Sequence, residues 1–193
     1  ENGMVATVMA NGAMSAQNTQ GEIRKKIIQD DLLDTVIALP GELFYTTSIP
    51  ACIFILSKGK DSDPYRDRSG ETLFIDGRDM YEEIDSTLNK LSEKHIENIV
   101  NTVRSYRGED QADEYIDQKG FCSVADLEEI KSHNWVITPG RYVGIPDDNE
   151  IDDEPFEEKV ERLTSTLSNQ FKRGDTLKQE IRANIEEVGY DAN

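Results

Sequence analysis

A chain of 193 residues, 36% of them hydrophobic, can bury one ordinary core. Its 21 basic and 39 acidic side chains give a net charge of −18, which argues against unaided grip on nucleic-acid phosphates, since that draws on clustered lysine and arginine. No apolar run nears the roughly 20 residues of a membrane-crossing helix, no secretory leader pattern opens the chain, and the well-separated Cys52 and Cys122 form neither a disulfide framework nor a zinc spacing, so a cytoplasmic protein without membrane contact is expected.

The acidity is uneven: residues 1–60 carry six acidic and five basic side chains, net −1, leaving −17 to residues 61–193. Glu1-Asn-Gly3 runs straight into Met4-Val-Ala-Thr-Val-Met-Ala10, a strand pattern that ends at the turn dipeptide Asn11-Gly12, as if the chain were entered in mid-domain. Thr19-Gln-Gly-Glu22 has capping-box spacing, and Ile23, Ile27, Ile28, Leu32 and Leu33 then recur on one helical face. A strand at 34–39 follows, so residues 4–39 read as strand, helix, strand, the unit of a parallel sheet with a right-handed crossover; the fold class is α/β. The next apolar run, at 51–57, returns after an eleven-residue loop without a helix, and should therefore run antiparallel to 34–39 and close a sheet edge as a hairpin. Lys58 to Gly70 reads as a charged surface loop before a short strand, Thr72–Asp76.

Residues 92–106 read as a helix with Ser92 as N-cap, Leu91 and Ile96 as a hydrophobic staple, and Ile96, Ile99, Val100 and Val103 as its apolar stripe. The spacing Ser123-Val-Ala-Asp126 predicts a third, short helix reaching about Ser132, and Trp135 to Val143 reads as extended chain with a turn at Pro139-Gly140. From Asp147 to Glu161 nine acidic residues face Lys159 alone, and Pro155 marks a helix start. Phe156, Val160, Leu163 and Leu167, then Leu177, Ile181, Ile185 and Val188, make one or two amphipathic helices seeking a partner surface, with Gly174-Asp175 as the expected break. The organisation expected is an α/β part at 1–78, a mixed and mainly helical extension at 79–146, and an acidic linker with amphipathic helix at 147–193.

No catalytic, cofactor-binding or metal-binding residue can be named from these patterns. None of the thirteen glycines falls in the G-x-G-x-x-G spacing, and no phosphate loop occurs. His95 and His133 lack a surrounding ligand or acid–base array and read as solvated or capping residues. The acidic run 147–154 lacks the alternate-position ligands and turn glycine of a calcium loop. The loop at 40–50 has two readings. Phe44 plugs the sheet end while Thr46, Thr47 and Ser48 hydrogen-bond the turn, or the ring offers a flat face to an unstacked nucleic-acid base.

One set of strings bears a family resemblance: Asn11-Gly12, Gly21-Glu-Ile-Arg-Lys-Lys-Ile-Ile28, Asp31-Leu-Leu-Asp-Thr-Val-Ile-Ala-Leu-Pro40, Leu43-Phe-Tyr-Thr-Thr-Ser-Ile-Pro-Ala-Cys-Ile-Phe-Ile-Leu-Ser-Lys58 and Leu73-Phe-Ile-Asp76. Together they resemble the carboxy-terminal part of the modification (methylase) subunit of type I restriction-modification systems. The likeness is close across 3–76, recurs at 91–106 and 139–143, and fades after about 147. It implies the distal part of a Rossmann-like methyltransferase sheet followed by a helical C-terminal region, from a parent that moves a methyl group from S-adenosylmethionine to the exocyclic amine of adenine in DNA. In such proteins the Asn-Pro-Pro-aromatic catalytic motif and the glycine-containing cofactor motif lie upstream; no two prolines are adjacent here, so the chain alone is expected to bind no cofactor and to be inactive. By the family's pattern Phe44, with Tyr45 beside it, matches the aromatic that packs against the flipped adenine, and Asn11 and Gly12 fall near the target-base pocket, with Ala10 where the family usually has proline. The resemblance further implies a specificity subunit, a restriction subunit, and DNA met through the assembled complex. The acidity supports a competing reading, a free-standing interaction or DNA-mimic module without enzymatic activity.

Overall fold

The computed structural model describes residues 3–62, 64–145 and 156–187. Strand β1 (Gly3–Ala10) leads through a 3-10 turn at Asn11–Met14 into helix α1 (Thr19–Gln29). Strands β2 (Leu33–Ala38), β3 (Ala51–Lys58) and β4 (Glu71–Asp76) follow, then a hairpin of β5 (Glu82–Asp85) and β6 (Leu88–Lys90). Helix α2 (Glu93–Arg107), strand β7 (Cys122–Asp126), helix α3 (Leu127–Ser132) and a 3-10 turn at Pro139–Arg141 complete the first of two compact units, Glu1–Asp147. The second unit, Asp148–Asn193, holds helix α4 (Phe156–Glu187).

The main sheet runs β1-β3-β2-β4-β7, with β3 antiparallel to both neighbours, β2 parallel to β4, and β7 antiparallel to β4. The antiparallel direction of 51–57 relative to 34–39 agrees with the sequence. Its place does not: β3 closes no edge but lies between β1 and β2, because β1 pairs with it along all eight residues. The β1-α1-β2 crossover therefore spans one intervening strand, and the outermost strand on that side is β1.

Alternation along the central strands builds two cores, one on each face. Val36, Ala38 and Phe74 join Met14, Ile28, Phe54, Ile137 and Tyr142 on one face, where Tyr142 stacks on Phe74 with ring centroids 3.8 Å apart. Ile37, Leu39, Leu73 and Ile75 join Ile99, Tyr106 and Cys122 on the other. All six residues of β2 are buried, as a strand covered on both faces requires, and this is why Val36 to Leu39 is an uninterrupted apolar run. Cys52 is fully buried, and that burial pushes its thiol up to about 11.

Local chemistry fixes the helices. The N-cap of α1 is Asn18, one residue before the predicted box, and its side-chain oxygen accepts from the Gln20 amide. Gly21 is required there because a Cβ would stand 2.6 Å from the Ala16 carbonyl oxygen. Buried Arg24 donates to the carbonyl oxygens of Ala13, Ala16 and Trp135, so α1 is tied to chain at both ends of its unit. In α2 the expected cap is present, with Ser92 and His95 forming a reciprocal capping box, which gives His95 a structural role. The helix predicted from Ser123 starts later: Cys122–Asp126 is strand, and Asp126 caps α3 by accepting from the Glu129 amide. The capping signal was real but belonged to its last residue.

The stretch 58–70 is not wholly a surface loop. Lys60 is buried and donates to Asp31, Leu33 O and Glu71 O. Arg68, 1% exposed, pairs through Nε with Asp34 Oδ1 at 3.1 Å, and Asp34 sits at an irregularity in the β2–β3 register where its carboxylate can turn inward. Helix α4 is continuous through Gly174 and Asp175, so the expected break is absent; one interior glycine costs only about 1 kcal/mol relative to alanine. Along α4, Val160, Leu163, Leu167, Phe171, Leu177 and Ile181 are exposed at helical spacing. Pro155, the acidic run 147–154 and Val188 lie outside the described residues.

Candidate functional site

The loop at 40–50 leaves the sheet at the carboxy end of β2 and re-enters it at β3, at the end where β1 also finishes. Here the Asn11 amide donates to the Pro50 carbonyl at 3.1 Å, bringing Asn11 against the end of the loop. Within the loop the Thr47 amide donates to Phe44 O and Thr47 Oγ1 accepts from the Ile49 amide, so Thr47 makes the turn contact expected of that hydroxyl cluster. Phe44 is 44% exposed and Tyr45 92% exposed. Nearly half of the Phe44 surface is open to solvent.

A cleft of about 330 Å³ lies between this loop and the β5–β6 turn, lined by Phe44, Tyr45, Thr46, Thr47, Ser48, Glu42, Asp85, Thr87 and Leu88. Phe44 and Tyr45 thus share a site. Gly12 lines a different, apolar cleft of about 400 Å³ on the α1 face of the sheet, with Met9, Arg24, Phe54 and Ile137 among its walls. The hairpin wall was not read from the sequence; the only signal for it was Asp85-Ser-Thr87, the spacing of an Asx turn. The Thr87 amide and hydroxyl both donate to Asp85 Oδ1 at 2.8 Å, and these hydrogen bonds hold the carboxyl below the usual carboxylate range.

These groups decide what the cleft can receive. Two carboxylates and five hydroxyls line it, so a phosphate is repelled, while a neutral flat ring gains the faces of Phe44 and Tyr45. Two cations at this end are already committed, Arg78 to Asp76 by two hydrogen bonds and Lys90 to Glu82 at 3.0 Å. Among the described residues no group of three or more His, Cys, Asp or Glu is placed to hold a metal ion, and no helix is long and apolar enough to cross a membrane. The cleft thus offers aromatic surface and hydrogen-bonding hydroxyls to a flat, neutral group.

Residues 1–151 match the protein family described as N-6 DNA Methylase. The methylase subunit of the type I restriction enzyme HindI from Haemophilus influenzae is 44% identical over 191 residues, covering 98% of this chain and 41% of that protein. The MjaIX methylase subunit from Methanocaldococcus jannaschii is 36% identical, covering 98% of this chain and 33% of that protein. The chain therefore spans between a third and about two fifths of the length of these relatives. The crystal structure of a type I restriction-modification methyltransferase subunit from Streptococcus thermophilus superposes with a TM-score of 0.60 at 31% identity, over 74% of this chain and 27% of that one. The expected α/β methyltransferase sheet with a helical C-terminal region is thus the observed fold. Matched over residues 1–151 of its 193, and similar throughout to type I methylase subunits, the chain belongs to the N-6 DNA methylase family.

Proposed function

We propose that this chain is the distal part of the methylase subunit of a type I restriction-modification system, whose parent transfers a methyl group from S-adenosylmethionine to the exocyclic amine of adenine in DNA. The observation that carries this reading is the open flank of the sheet. β1 is an edge strand whose Met4, Val5, Val8 and Met9 side chains are exposed, and apolar clefts of about 400 and about 590 Å³ lie beside it on the two faces. An unpaired strand edge flanked by apolar surface on both faces invites covering by further chain. Upstream strands of the parent, running alongside β1, would cover it and bring the cofactor and catalytic motifs to the end of the sheet that carries Asn11, Gly12 and the 40–50 loop. In that setting Phe44 and Tyr45 brace the target base.

On this reading S-adenosylmethionine belongs to the parent and not to this part. Calorimetry is expected to detect no S-adenosylmethionine binding by the isolated chain and clear binding by the parent; tight binding by the isolated chain would overturn the division.

The partners follow from the same reading: a specificity subunit, a restriction subunit, and DNA reached through their assembly. The exposed stripe of α4 has the form of a helix-in-groove docking element, and a strongly acidic chain needs partners to supply cationic surface for DNA. Deleting residues 155–193 from the parent is expected to leave S-adenosylmethionine binding intact while at least tenfold more specificity subunit is needed to half-saturate it. Unchanged co-assembly on size-exclusion chromatography would count against α4 as the docking element.

A further inference from the structure

The aromatic loop is anchored at Leu43, which packs against the Ile37 core, but Phe44 and Tyr45 beyond it are exposed and, apart from the 3.1 Å bond from the Ile49 amide to Thr47 Oγ1, its internal hydrogen bonds are long. Its contacts from Thr47 to Phe44 O and from Glu42 to Ser48 O are 3.3 and 3.4 Å long. It also contains a backbone strain: Glu42 has φ +59°, a left-handed conformation that a side-chain-bearing residue adopts only when its surroundings impose it. Asn89, on β6, supplies that imposition. Its amide donates to Glu42 O at 2.7 Å, and its side-chain Nδ2 donates to Gly41 O at 3.1 Å. The neighbouring Leu88 is buried and lines the cleft opposite Phe44, so the hairpin that presents Asn89 is itself anchored.

We propose that Asn89 is a positioning residue for base stacking: through its two hydrogen bonds it keeps residues 41–42 in their strained conformation and so fixes where the Phe44 ring stands. This rests on the reading of Phe44 as the base-stacking ring. Asn89 touches no substrate; it acts through Phe44. The loop would otherwise relax away from the left-handed conformation at Glu42, and the ring would spend less of its time against the base.

The test uses the parent enzyme with its partner subunits and a duplex carrying one target adenine. Asn89→Asp keeps the shape but removes the amide donor, and kcat is expected to fall roughly five- to tenfold, the effect of one hydrogen bond, with KM for DNA within about twofold. In a Phe44→Ala background the same substitution is expected to cost nothing further, because its effect passes through the missing ring. Adding Glu42→Gly to Asn89→Asp removes the strain and is expected to restore most of kcat. If Asn89→Asp does not fold, Asn89→Ala is read by the same criteria. Unchanged kcat in the Asn89 variants while Phe44→Ala slows methylation would overturn this inference alone, as would losses that multiply in the double variant. Unchanged methylation in Phe44→Ala would remove the base-stacking reading and this inference with it.

Discussion

Replacing Asp34 with alanine is expected to lower the stability of the α/β unit by about 3–5 kcal/mol, the usual cost of stranding one member of a buried ion pair. Asp34 is fully buried and accepts from Arg68 Nε and from the Thr35 hydroxyl, while Arg68 is 1% exposed. Removing the carboxylate leaves a guanidinium in the interior with its main counter-charge gone; its remaining bond to Arg66 O does not neutralise it. Replacing both partners by apolar residues of similar volume, Asp34→Leu with Arg68→Met, is expected to cost much less, because no buried charge is then stranded. Urea titration separates these outcomes. With a slope of about 1–3 kcal/mol per molar, the single variant should shift the midpoint by more than about 1 M. Equal losses in the single and double variants would show that the site depends on packing and not on charge pairing.

The second large effect concerns activity. In the assembled parent, Phe44→Ala is expected to slow methylation by roughly 5- to 150-fold, the range that corresponds to about 1–3 kcal/mol of base–aromatic stacking. Its cost in stability should stay below about 1 kcal/mol, because the ring is 44% exposed. A ring serving as a core plug would give the opposite pattern, a loss of about 3–5 kcal/mol in stability. Single-turnover methylation measured beside thermal unfolding distinguishes the two, and Phe44→Trp, which keeps a stacking face, should retain most of the rate.

The residues that declared themselves in the sequence are those whose partners are near in the chain or whose burial is two-sided. β2 and β4 read as strands because apolar side chains must fill both faces, and Ser92 declared the start of α2 because its cap partner is three residues away. Strand order was hidden, since nothing local in 51–57 says that β1, more than forty residues earlier, will pair along its other edge. β7 was mistaken for helix because Asp126 carries a genuine cap signal for the residues after it. The ion pairs of Lys60 and Arg68 were masked by composition: a run rich in Asp, Lys and Arg looks solvated whether or not two of its members point inward. Phe44 was visible as an aromatic in a polar loop, but the residue that holds the loop was not. Asn89 is 48 positions from Gly41, and an asparagine in a short exposed hairpin has no pattern to mark it.

The position of β3 also constrains how the sheet can be assembled during synthesis. β1, α1 and β2 emerge from the ribosome before β3, yet the native arrangement keeps β1 and β2 one strand apart and joins them only through β3. Until Ala51–Lys58 is available, the nascent chain carries two exposed strand edges that have no native partner in each other, the type of surface that seeds misassembly. β3 carries a ladder on each side, to β1 and to β2. The closure of this half of the sheet therefore depends on a single strand, and any delay in delivering Ala51–Lys58 prolongs the exposure of both edges.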